Sequence, residues 1–121
     1  MKLEDIPEMQ IIGRDGNPLD FSDPFEIISK PFVQIREIEM GRFYVYSDIR
    51  CASHARNYAN FLESSLKDFT CEGGGNLFIS INSIRFGGFS TSFGKYDIEI
   101  VRPIAERYFA QHLPSAKLSF E

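Results

Sequence analysis

Tryptophan is absent and cysteine nearly so: the 121 residues contain two, Cys51 and Cys71, with no paired C-x-x-C spacing. Two thiols cannot form the multi-bridge framework that holds small secreted domains together, so free thiols in a reducing compartment are the simplest reading. Long apolar runs are also missing. No stretch approaches the roughly 18 consecutive apolar residues of a membrane helix. The opening MKLEDIPEMQ is acidic where a secretory signal is basic and then apolar. A cytoplasmic protein without membrane association is therefore expected. Basic charge is short as well, 13 Lys and Arg against 17 Asp and Glu, for a formal net charge of −4. A chain of that sign lacks the electrostatic footprint that phosphate backbones select, so nucleic acid is not an expected partner.

Aromatic side chains are plentiful, with 12 Phe and 5 Tyr in a chain that is 43% hydrophobic. Each ring buries a large area, so this length supports one domain with its own core over residues 1–121. Residues 1 to 26 concentrate the negative charge, since Glu4, Asp5, Glu8, Asp15, Asp20, Asp23 and Glu26 face only Lys2 and Arg14, a local net of −5 that leaves the rest at +1. That composition reads as an acidic, loop-rich N-terminal arm over 1–30, followed by a core over 31–113 and a tail over 114–121. The arm is a solvated terminus or an encounter surface for a basic partner.

Met9 to Ile12 suits a short strand, ended by the turn residues Arg14-Asp15-Gly16-Asn17-Pro18. Leu19 to Pro31 reads as loop with a brief extended piece at Phe25 to Ser29. Residues 32–39 and 42–46 are rich in strand formers and form a hairpin about Met40-Gly41. From Ser47 or Asp48, a candidate N-cap, the period changes. Ala52, Ala55, Ala59, Leu62 and Leu66 mark the inward stripe of a helix running to about Lys67. Gly73-Gly74-Gly75 is read as a flexible break. Strands are expected at Leu77 to Ile81 and Phe89 to Phe93, with turn chemistry at Arg85-Phe86-Gly87-Gly88 and Gly94-Lys95. Asp97 to Val101 is assigned as a strand, with Pro103 opening the last helix, which Pro114 stops. A helix from Asp97 would place Pro103 in its interior at a cost of about 3 kcal/mol. The fold class is thus α+β: a mostly antiparallel sheet of five or six strands on two helices, in the order β-β-α-β-β-β-α after the short first strand. A weak echo at a spacing of 46, Phe32 with Phe78 and Gly41 with Gly87, carries no functional weight.

Candidate chemistry is sparse. Cys51 and His54 share a helix face, as a thiol and its base or two metal ligands would, yet a zinc site would need Cys71 and His112 to converge without any sequence spacing that predicts it. No cofactor is therefore expected. The glycine triplet follows a helix and opens a strand, the reverse of a phosphate-binding loop. Glu37 with Glu39 and Asp97 with Glu99 are alternate strand residues, which read as solvent-facing positions. If residues 32–39 and 42–46 pair, Gln34, Arg36, Arg42, Tyr44 and Tyr46 form one face with the composition of interaction anchors, flanked by Glu37 and Glu39; the bland alternative is a second buried face.

The layout from Arg42 onward resembles small cytosolic immunity proteins that neutralise bacterial toxins. It has a strand, a helix ending Phe61-Leu62-Glu63-Ser64-Ser65-Leu66, the hairpin Leu77-Phe78-Ile79-Ser80-Ile81 with Arg85-Phe86-Gly87-Gly88-Phe89, and a last helix closing near Leu113-Pro114. The resemblance implies a non-enzymatic inhibitor, monomer or homodimer, whose protein partner is a toxin domain that it occludes. Two other classes stay open: a small-molecule or enzymatic fold with an aromatic pocket of Phe78, Phe89 and Tyr108, and a structural subunit joined through a strand edge.

Overall fold

The computed structural model describes residues 6–21, 27–63 and 68–121. Glu4, Asp5, Asp23 and Glu26 of the acidic segment, the first two residues of the extended piece Phe25 to Ser29, and the helix end with Leu66 lie outside those residues; Ile28 and Ser29 of that piece are strand. The described chain runs β1 (Met9–Ile12), β2 (Ile28–Glu37), β3 (Phe43–Asp48), α1 (His54–Glu63), β4 (Phe69–Ile79), β5 (Ser83–Gly87), α2 (Ile98–His112) and β6 (Lys117–Phe120). All strands join one sheet in the order β1-β3-β2-β4-β5-β6. The three central pairings are antiparallel, and the two outer ones, β1 with β3 and β5 with β6, are parallel. The α+β class and the mostly antiparallel single sheet hold. The tail does not, because residues 117–120 form the far edge strand.

Each face of the sheet carries one helix. Phe32, Val45, Leu77, Ile79, Ile84 and Phe86 pack against Val101, Ile104, Ala105 and Phe109 of α2, whereas Val33, Ile35, Tyr44, Tyr46 and Phe69 pack against Phe61 of α1. Alternation along β2 and β3 sends neighbours to opposite faces, so these strands are buried on both.

Both helices differ from the sequence reading. In α1 the alanines face solvent; the buried positions are Asn57 and Phe61, with His54 and Tyr58 half-buried. These four recur at three- and four-residue spacing, and a Phe gains far more from burial than an Ala, so the rings decide the inward face. Ser53, not Ser47 or Asp48, caps the helix, its Oγ accepting from the Arg56 N–H at 3.1 Å. In α2 the 97–101 strand does not exist. Asp97 is the N-cap, accepting from the Glu99 N–H, and the helix continues through Pro103. The ring forfeits the bond to the Glu99 carbonyl, a cost of about 3 kcal/mol that the cap and the burial of Val101, Ile104 and Ala105 offset.

The glycine triplet is not a flexible break. Gly73, Gly74 and Gly75 are buried in the middle of β4, paired with Gln34, Val33 and Phe32. A Cβ on Gly73 would sit 2.5 Å from the Lys95 carbonyl oxygen, one on Gly74 2.8 Å from the His54 ring, and one on Gly75 against the Gly87 carbonyl. The backbone of 94–96 runs along this stretch, with Gly74 N–H donating to the Gly94 carbonyl and Tyr96 N–H to that of Gly74. Only glycine permits so close an approach. Residues 89–93 accordingly form a loop over the sheet, not a strand, and 85–87 belong to β5.

Candidate functional site: an open half of the sheet

The hairpin register separates the residues grouped by sequence. Gln34 stands opposite Val45 and Arg36 opposite Phe43, while Ile35 stands opposite Tyr44 and Val33 opposite Tyr46. Directly opposed residues share a face, so Gln34 and Arg36 lie on the α2 side and the tyrosines on the α1 side. Both tyrosines are buried: Tyr44 packs on Phe61 and Phe69, and Tyr46 on Phe61. Burial pushes the Tyr46 phenol up to about 12, with the nearby Asp48 charge adding to it. Gln34 is buried too, its Oε1 accepting from the Asp97 N–H at 2.7 Å, and so fixes the start of α2. Arg36 donates to Glu72 at 2.9 Å. Glu37 is a strand end, buried, and its carboxylate accepts from the Met40 N–H at 2.6 Å across the turn; Glu39 and Arg42 are exposed in that turn. The anticipated Tyr/Arg face is therefore two faces and a turn.

Cys51 and His54 do not meet as a reactive pair. The His54 ring lies over β4 with Nε2 2.8 Å from the Gly75 carbonyl oxygen, an arrangement that uses this nitrogen as donor. Cys51 Sγ accepts from Asn60 Nδ2 at 3.1 Å, and burial, followed by the Asp48 charge, raises its thiol, which disfavours the thiolate a nucleophile needs. Cys71 is pushed up to about 11 by burial; both cysteines are free. No group of His, Cys, Asp and Glu able to hold a metal ion occurs among the described residues. Asp48 is buried and held by the Arg50 guanidinium at 2.7 and 3.0 Å, which keeps its carboxyl below the usual range. Arg50, Cys51, Arg56, Asn60 and Glu63 line an open cleft of about 610 Å³ above this pair. The Asp48–Arg50 pair is structural: Asp48 also accepts from Asn60, and the Asp48 N–H donates to the buried Asn57, tying β3 to α1.

The proposed aromatic pocket does not assemble either. Phe78 is opposite Arg85 on the face away from α2, where Tyr108 resides, and Phe89 is exposed in the loop after β5.

What the structure does bring together was not anticipated. On the α1 side the helix lies against β2, β3 and β4, and no described helix packs on the same face across the C-terminal half of β4, β5 and β6. The register aligns Ser29, Phe78, Arg85 and Ser119 in one row across four strands, with Pro31, Asn76 and Gly87 in the next. Ser29, Asn76, Arg85 and Ser119 are exposed and Phe78 is half-buried. The Arg85 guanidinium covers the Phe78 ring at 4.7 Å from its centroid. Ile27 (66% exposed) and Ile81 (76%) stand at the end of these strands, and Phe89 (62%) in the loop that crosses Asn76. The cations on this half are Arg85 and Lys117, with Glu121 at its margin, although the chain as a whole is acidic. Alternating polar residues with one aromatic gave no periodic signal; only the pairing of β2 with β4 and the placement of α1 define the surface. The sequence matches no protein-family model and no curated protein.

Proposed function

We propose that the protein works by binding another protein through this open half of the sheet, as an immunity-type inhibitor that covers the functional surface of a bacterial toxin or effector in the cytoplasm. The observation that carries the reading is the Arg85–Phe78 pair in a row of strand residues that no described helix covers, with Ile27, Ile81 and Phe89 exposed in the segments that flank these strands. An arginine stacked on an aromatic ring has the make-up of an interface anchor, and the exposed apolar side chains flanking the strands add area that a partner can cover. Arg85 and Lys117 call for a partner with carboxylates around an apolar centre, since complementary charge steers encounter and sets register.

The test is a titration of the co-purifying partner against three variants. Arg85→Glu and Phe89→Ala are expected to weaken binding by about thirtyfold or more each, the range of an anchor residue. Arg42→Glu, in the hairpin turn at the other end of β2, is expected to leave it unchanged. A complex that tolerates the first two but not the third places recognition elsewhere.

A further inference from the structure

A second cavity lies on the opposite face, between the edge strand β1 and α2. Its floor is apolar, built by Met9 and Ile11 of β1, Leu19 and Ile104, and it encloses about 340 Å³. On α2, Ile104, Arg107, Tyr108 and Gln111 recur at three- and four-residue spacing and so present one helix face to β1. The strand is held at its place by the sheet and by the loop after it, because Val45 N–H donates to the Glu8 carbonyl and Leu19 N–H to that of Ile11. Arg107 spans the gap to Glu8, with Nη2 2.6 Å and Nε 3.0 Å from the carboxylate oxygens. The cavity is thus walled on three sides by fixed elements.

Above that floor its polar side chains are those of Glu8, Gln10, Arg107, Tyr108, Gln111 and His112. The guanidinium that lines it is already bound to a carboxylate, so an anion entering would lose its hydration without an unpaired cation to meet it. The Tyr108 ring is locked by edge contacts to Phe21 and Phe109, at 6.1 and 5.0 Å between centroids, and by the His112 ring at 4.4 Å. Its hydroxyl makes no hydrogen bond to any described residue, and burial is the sole influence on the phenol, pushing it up to about 12. No described buried side-chain oxygen lacks a partner, so this hydroxyl reaches solvent and is a protonated donor on which a ligand acceptor can take the place of water.

We propose that this groove binds a small, uncharged, largely apolar molecule of one or two rings carrying a single hydrogen-bond acceptor, which the Tyr108 hydroxyl engages. The volume, the apolar floor and the few convergent polar groups are those of a small-ligand site at the lower end of the usual size range. The site lies on the other side of the sheet from the surface proposed for protein recognition and stands independently of it.

Acetophenone and ethylbenzene, matched in shape and differing in the carbonyl, are the probes, titrated into the ¹⁵N-labelled full chain. Acetophenone is expected to shift the amide resonances of Met9, Ile11, Leu19 and Tyr108 saturably and to bind more tightly than ethylbenzene. Tyr108→Phe should weaken acetophenone by about tenfold, the value of one net hydrogen bond, and leave ethylbenzene unchanged. Gln111→Trp, at an exposed position on the cavity rim, should block both. Absence of saturable shifts at the groove, equal affinity for the two probes, or equal weakening of both by Tyr108→Phe overturns the proposal.

Discussion

Gly75 and Gly94 are both glycines for different reasons, and the difference is measurable. Gly75 has no room for a Cβ, which would strike the Gly87 carbonyl and crowd the Tyr96 and Phe32 rings; Gly94 has open space but a backbone φ of 86°. Gly75→Ala is expected to destabilise by about 3 kcal/mol or more, as overpacking against backbone does. Gly94→Ala should cost about 1 kcal/mol, the penalty of a left-handed residue. Urea unfolding of the two variants checks the order. Asp48 supplies the second prediction at this scale. Its carboxyl is lowered first by the hydrogen bonds from the Arg50 side chain, so the ionised form is favoured in the folded state. Its contribution is present above the unfolded value of about 3.9 and is lost as pH falls through the lower folded value. The urea midpoint should therefore drop on acidification below about pH 4, and Asp48→Asn should flatten that part of the profile.

At the scale of elements, the turn at 14–18 and the hairpin about 40–41 were legible because Gly, Asn and Pro act through local backbone geometry. The observed bonds, Asn17 N–H to Asp15 Oδ1 and Glu37 N–H to the Arg42 carbonyl, are local too. The inward face of α1 was not legible in the same way. Alanines and leucines at 52, 55, 59 and 62 have the right spacing for a buried stripe, and so do His54, Asn57, Tyr58 and Phe61; two stripes on one helix cannot be ranked until the sheet beneath is known. Phe61 lies at 4.9 Å from Phe69 between centroids and is fully buried, so Phe61→Ala is expected to cost about 3–5 kcal/mol. Ala59→Lys, on the supposed inward stripe, should fall within about 0.5 kcal/mol of the parent protein by thermal or urea unfolding. A large loss at Ala59 would restore the alanine face.

For the molecule as a whole, one sheet separates two apolar layers but also joins them, since β2 places Phe32 in one and Val33 and Ile35 in the other. Neither layer can form without the strands of its neighbour. Phe109→Ala in the α2 layer and Phe61→Ala in the α1 layer are therefore both expected to shift a single unfolding transition, with far-UV and near-UV signals coincident and the urea slope unchanged. Two separable transitions would show that the layers fold as independent units. The same arrangement explains the surface put forward for recognition. With one described helix per face and six strands to cover, α1 does not reach the β5 and β6 side of its face.

By itself the sequence determined the class of fold, the first three strands with the end of the fourth, and the first hairpin, because alternation, turn residues and aromatic content act within a few positions of one another; β5 and β6, read as turn and tail, were not among them. Tertiary structure alone decided that the tyrosines of β3 lie buried, that three glycines form a strand interior, that residues 97–101 are helix, and that Phe78 and Arg85 share an open face. Each of these depends on which backbone or ring approaches from a distant part of the chain, and burial by a distant neighbour leaves no mark in local periodicity.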